Sequence, residues 1–218
     1  MTSKPAREYK SVATKKGSSS ASGSLLELIM IVAVALGLAL GIQAFLVKPY
    51  RIPSESMVPT LQINQRVLVN RIGNRFSQPK VGEIMVFHPP EGWKLATKCG
   101  NPRQGEGHAA ACGRPSPQRS GDNFIKRVVA LPGDHLSIRN GHVIRNGRIE
   151  REPYIRRCQA GAECEFPQSI TIPPGHYFMM GDNRGSSDDS RFWGPVPKRW
   201  IIGGAFATYW PPSRLGLL

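Results

Sequence analysis

The chain is short of acids and lacks the signatures of nucleic-acid and zinc proteins. Asp and Glu total 15 against 29 Lys and Arg, a formal charge of +14. Such an excess suits an anionic membrane surface or a nucleic acid. No zinc-finger spacing, RNA-binding aromatic signature or helix-turn-helix pattern accompanies it, so nucleic acid is set aside as a partner. No Cys-x-x-Cys pair occurs, which argues against a structural zinc site. His88, His108, His135, His142 and His176 stand outside Gly-x-Ser-x-Gly or triad contexts and read as turn, strand or surface residues. There is no internal repeat, and no long amphipathic helix period competes with the strand signals beyond the first 47 residues.

A stretch without formal charge is present instead, the 20 residues from Leu28 to Val47, bracketed by Glu27 and Lys48. As a helix rising about 1.5 Å per residue it would cover a hydrocarbon layer of about 30 Å, so residues 25–47 are expected to form one transmembrane helix. Residues 1–24 carry Lys4, Arg7, Lys10, Lys15 and Lys16 against Glu8 alone, with Ser and Gly between. That is the pattern of a flexible cytoplasmic tail, which places residues 48–218 outside the cytoplasm. A cleavable leader is the competing reading. The run is too long for one, and Lys48-Pro49-Tyr50-Arg51 offers no small-x-small cleavage site. Omitting the first 27 residues, which hold five bases and two acids, leaves 24 − 13 = +11 beyond the anchor.

With 19 Pro and 23 Gly in 218 residues, the remainder has room for one sizeable domain or two small ones. Arg66 to Asn70, Glu83 to Phe87 and Ile125 to Leu131 are β-prone runs. His135 to Glu150 holds two Asn-Gly pairs, the preferred residues of two-residue hairpin turns, and reads as a meander. Residues 88–123, rich in Gly, Pro and Arg, read as an exposed loop insertion between strands. Cys99, Cys112, Cys158 and Cys164 all fall beyond the anchor. An oxidising compartment permits disulfides there. Local pairing of Cys99 with Cys112 and Cys158 with Cys164 is the simplest proposal, with free thiols the alternative.

Two frames carry the chemistry. Ser56 sits in Ile52-Pro53-Ser54-Glu55-Ser56-Met57-Val58-Pro59-Thr60-Leu61, and Lys126 in Phe124-Ile125-Lys126-Arg127-Val128-Val129-Ala130-Leu131-Pro132-Gly133-Asp134. A serine hydroxyl is a weak nucleophile until a base takes its proton. A lysine with pKa about 10.4 is neutral in roughly one molecule in 10³ near pH 7, so it serves as base only when burial lowers its pKa. Phe124, Ile125, Val128 and Val129 make the strand around Lys126 apolar, while alternation turns Arg127 to the other face. Taken alone, Lys126 would read as an ordinary exposed lysine. Ser77-Gln78-Pro79-Lys80 also fits a Ser-x-x-Lys string, but Pro79 disfavours the helix that string needs and no Lys-Thr-Gly follows.

These frames, with Gly82-Glu83-Ile84-Met85-Val86-Phe87 and Gly181-Asp182-Asn183-Arg184-Gly185-Ser186-Ser187-Asp188-Asp189-Ser190-Arg191-Phe192-Trp193-Gly194, occur in the order found in type I signal peptidases. The chain resembles that family, also called leader peptidase, from roughly Phe45 to Gly194. It departs in having Gly185 and Glu83 where Asp is usual and Ala130 where Gly is usual. The resemblance implies a mainly β fold, an antiparallel catalytic core with a smaller β extension at about 135–175, and no metal or organic cofactor. It implies Ser56 as nucleophile, Lys126 as general base, and an oxyanion hole made by the Ser54 hydroxyl and the Ser56 amide. Ser187 would orient the Lys126 amine, and Asp189 and Arg191 would form a supporting ion pair. Ile52, Met57, Leu61, Phe124 and Ile125 would shape shallow apolar pockets for small residues at −1 and −3.

The resulting expectation is a single-pass protease of the bacterial cytoplasmic membrane. It would cleave signal peptides from exported preproteins, in contact with anionic lipid and near the protein translocation machinery. A Ser/Lys protease restricted to pilin or conjugation precursors is the alternative among enzymes. A noncatalytic membrane-tethered β module, which needs neither Ser56 nor Lys126, is the alternative outside them.

Overall fold

The computed structural model describes residues 21–95, 99–159 and 163–218, with side chains except at 21–24, 42–45, 74 and 75. The tail expected over 1–24 lies outside the described residues as far as residue 20. Two compact units divide at Gly41 and Ile42.

The first unit contributes most of helix α1 (Ala21–Phe45). Its described apolar side chains, Leu25 to Leu40, are exposed all round the helix, a distribution that suits an apolar surround rather than one buried face. Among the described residues no helix is long and apolar enough to cross a membrane. The described side chains of α1 run only from 25 to 41, short of the roughly 20 residues a bilayer requires. The helix also ends two residues before the expected limit, and Val47 is already paired as a strand residue.

The second unit is mainly β. Its strands are β1 (Val47–Arg51), β2 (Arg66–Asn70), β3 (Ile84–Phe87), β4 (Phe124–Ala130), β5 (His135–Arg139), β6 (His142–Arg145), β7 (Arg148–Ile149), β8 (Phe166–Thr171), β9 (His176–Met180), β10 (Val196–Pro197), β11 (Ile201–Trp210) and β12 (Gly216–Leu217). The larger sheet runs β1-β2-β11-β3-β4-β9-β10, with β12 beside β11, all antiparallel. A smaller antiparallel sheet runs β7-β6-β5-β8. Asn140-Gly141 and Asn146-Gly147 turn β5 into β6 and β6 into β7, all four residues with positive φ, as two-residue hairpin turns demand.

Strand β3 shows why the sheet lies between two cores. Ile84 and Val86 join Met57, Leu61, Val67 and Ile125 in one cluster, while Met85 and Phe87 join Val128, Met179 and Trp193 in another. Alternate side chains leave opposite faces of a strand, so burial of every residue in β3 means both faces are covered. A third cluster covers the smaller sheet through Leu136, Ile138, Val143 and Phe166.

The segment between β3 and β4 is less exposed than its composition suggests. Ala110, Ala111 and Cys112 are buried, and the two alanines pack in the third cluster. The cysteines pair as Cys99–Cys112 and Cys158–Cys164. The Cys112 amide donates to the Arg191 carbonyl and the Gln168 amide to that of Ala109, so the insertion is stitched to two neighbours.

Candidate active site

The loop after β1 presents Ser56. Its ends are closed by Ile52 N–H to the Gln65 carbonyl and Asn64 N–H to the Ile52 carbonyl, 2.9 and 2.8 Å. Met57 and Leu61, expected as pocket walls, do not line the cleft described below. Both are fully buried in the core beneath the loop. They lie four residues apart in one turn closed by Leu61 N–H to the Met57 carbonyl, and burying each is worth roughly 1.5–3 kcal/mol. They are the anchors that hold Ser56 in place.

Strand β4 brings Lys126 to that loop. Its Nζ lies 2.6 Å from Ser56 Oγ across 70 residues of sequence, and both side chains are more than nine-tenths buried. Burial lowers the Lys126 pKa to about 8. Asp189, Asp188 and Asp182 oppose that shift and Arg191 assists it. A fully buried ammonium loses its hydration, and the distant carboxylates return only part of it. The Ser54 hydroxyl stands 3.3 Å from Ser56 Oγ, on the same loop.

The segment after β9 locks the two together. The Asn183 amide donates to the Ser56 carbonyl (3.0 Å), and Asn183 Nδ2 to that of Glu55 (3.2 Å). Asp182 accepts Arg127 Nε at 2.8 Å and Nη2 at 2.6 Å and also takes the Thr60 hydroxyl. One carboxylate thereby joins β4 to the loop that carries Ser56. Asp189 and Arg191, neither accessible to solvent, pair through Nε to Oδ1 (2.8 Å) and Nη2 to Oδ2 (3.0 Å). Asp189 also accepts the Gly181 amide and, as its N-cap, the Arg191 amide of helix α3, which follows helix α2 (Gly73–Phe76) and spans Ser190–Trp193. Burial pushes the Asp189 carboxyl up, but the Arg191 charge and its hydrogen bonds outweigh that and hold it below the ordinary range.

Ser187 is buried at this site, yet its hydroxyl has no hydrogen-bond partner among the described residues. The amine it was expected to orient bonds instead to Ser56. A side chain at Gly181 would strike both the Ser187 hydroxyl and the Ser56 carbonyl, so glycine is required where the chain leaving β9 passes Ser56.

A cleft of about 360 Å³ opens on Ser56 and Lys126, walled by Ile52, Phe124 and Ile125, and by Trp93 and Asp188, which sequence reasoning missed. Arg127, Asp182 and Asn183 stand inside the motifs, and nothing in the sequence assigns them a role. A buried pairing between two motifs has no signature in either one. Among the described residues no cluster of three or more His, Cys, Asp or Glu could hold a metal. Away from the cleft, Ser77 donates its hydroxyl to the Gly73 carbonyl.

A family profile described as "Signal peptidase, peptidase S26" matches residues 25–210. A signal peptidase I of Leptolyngbya laminosa is 39% identical over 91% of this chain and 86% of that protein. A probable signal peptidase I-2 of Synechocystis is 36% identical over 94% and 82%, and a signal peptidase I of Mycobacterium tuberculosis is 31% identical over 89% and 76%.

Proposed function

Since the chain belongs to the signal peptidase family, peptidase S26, we propose that it is a membrane-anchored serine endopeptidase that removes N-terminal signal peptides from exported preproteins. The observation that carries this reading is the 2.6 Å approach of a buried lysine amine to a buried serine hydroxyl. Neutral Lys126 takes the Ser56 proton as Oγ attacks the carbonyl carbon of the residue before the cut. The oxyanion that forms is met by the Ser54 hydroxyl and the Ser56 amide. Collapse transfers the Lys126 proton to the leaving amine and leaves an acyl ester on Ser56. Lys126 then activates a water that hydrolyses the ester. The substrate lies extended, so alternate side chains meet the cleft. The apolar walls Ile52, Phe124 and Ile125 take small apolar side chains at −1 and −3.

Cleavage of a preprotein by the purified full chain in detergent tests the reading. Ser56→Ala is expected to abolish processing, and Ser54→Ala to reduce turnover by about 10² to 10³, the usual effect of losing one oxyanion donor. Processing by a folded Ser56→Ala protein, or peptides with Leu or Phe at both −1 and −3 cut as fast as Ala-x-Ala, would exclude it.

The same proposal includes a single-pass anchor formed by α1 in the bacterial cytoplasmic membrane. The tail would be cytoplasmic, residues 48–218 external, and anionic lipid and the translocation machinery would be neighbours. The uncharged run and the basic tail support it. So do the disulfides, which persist in oxidising compartments. Reporter fusions before Leu25 and after Leu218 are expected to report cytoplasmic and external locations. A cytoplasmic signal from the second would reverse the topology.

A further inference from the structure

The insertion between β3 and β4 contributes two residues to the cleft lining, Trp93 and, beside the start of β4, Asn123. The Trp93 indole meets the Phe124 ring edge to face with centroids 4.6 Å apart. Its Nε1 donates to Asp122 Oδ2 at 2.9 Å. The segment that carries it is tied down near both ends, by Glu91 N–H to the Gln118 carbonyl, Ser120 N–H to that of Pro89, and His88 Nδ1 to that of Asp122. An indole with an edge-to-face ring partner on one side and its only donor satisfied is held in one orientation, so the wall it makes has a set position.

That position falls one strand repeat from the chemistry. Phe124 and Lys126 lie two residues apart on β4, and Lys126 Nζ is 5.4 Å from the Phe124 ring centroid, so both project to the same side. Two residues of extended chain advance about 6.6–6.8 Å, and the side chains at −1 and −3 of an extended substrate are separated by the same interval. With −1 at the Ser56–Lys126 pair, −3 meets Phe124 and the indole packed on it.

Resting on the reading under Proposed function, we infer that Trp93 is a specificity-determining residue that limits the size of the substrate side chain at −3. The indole bounds the pocket on the side away from Lys126. Truncating it lengthens the pocket at −3 and leaves the surroundings of −1 unchanged.

The test compares the wild-type full chain with Trp93→Ala, Trp93→Leu and Trp93→Phe in detergent, on peptides with Ala at −1 and Ala, Val, Leu or Phe at −3. A companion set varies −1 with Ala kept at −3. For Trp93→Ala the kcat/KM ratio of the Leu peptide to the Ala peptide at −3 is expected to rise about tenfold or more, the scale on which apolar pockets discriminate by size. The Ala-x-Ala peptide is still cut, and preference at −1 is unmoved. Trp93→Phe, which keeps a ring in the wall, retains the wild-type preference. Should Trp93→Ala fail to fold, Trp93→Leu makes the same comparison. An unchanged ratio at −3 in the folded variant, an equal loss on all peptides, or a change confined to −1 would overturn the inference while the enzyme reading stands. Failure of the wild type on Ala-x-Ala would overturn both.

Discussion

Lys126→Met is expected to cut turnover of an Ala-x-Ala peptide by about 10⁴-fold, at the upper end of what a general base contributes, while making the protein more stable. Both effects follow from a cation that burial keeps at a pKa of about 8. The folded protein binds the lysine proton less readily than the unfolded chain does. Between about pH 8 and the ordinary lysine value of 10.5, the unfolded state therefore holds more protons and stability rises with pH. Below 8 that contribution is absent, and the charged, buried amine weakens the fold at pH 7 by roughly 3 kcal/mol, at 1.36 kcal/mol per unit. Met keeps similar apolar bulk without the charge. In the wild type, kcat/KM should climb with pH on an acidic limb centred near 8. Denaturant titration of both proteins and a pH profile of the wild type check this. Near-normal turnover by a folded variant, or a limb near the histidine value of about 6.5, would defeat the Ser/Lys assignment.

Arg191→Met should have the largest effect on folding of any single change at the site. It strands the Asp189 carboxylate, which has no solvent exposure and relies on Arg191 for its charge partner. Removing one member of a buried pair costs about 3–5 kcal/mol. A second consequence distinguishes this from generic damage. Arg191 holds the Lys126 pKa down and Asp189 pulls it up, so an unopposed Asp189 shifts the acidic limb of the activity profile to higher pH. Adding Asp189→Asn removes the stranded charge and leaves an oxygen for the Gly181 amide, so the double variant should regain part of both losses. A pH limb that stays in place in the single variant, alongside a stability loss under 1 kcal/mol, would mean the pair does no electrostatic work at the dyad.

Much of the β architecture was legible because strand and turn signals are local. The expected run Arg66 to Asn70 is β2, and those at Glu83 and Ile125 begin one residue from the ends of β3 and β4. Asn-Gly pairs mark hairpins because both residues tolerate positive φ. Met57 and Leu61 were misplaced because an apolar residue beside a nucleophile looks the same in sequence whether it faces substrate or core. Both side chains turn into the core beneath the loop. Trp93 was missed for a related reason: its segment has no periodicity, and its partner Phe124 is 31 positions away.

The sequence by itself determined that an uncharged run precedes a β-rich domain, that Ser56 and Lys126 stand in the frames of a known protease family, and that the cysteines are spaced for local pairing. Each is a property of residue order and near neighbours, which the chain carries before it folds. Only the tertiary structure decided that Lys126 is buried against Ser56, that Asp182 ties the Ser56 loop to β4, that the Ser187 hydroxyl has no hydrogen-bond partner among the described residues and that Trp93 lines the cleft. Desolvation depends on which distant groups exclude water from one another, and no short sequence window contains both Ser56 and Lys126, or both Arg127 and Asp182.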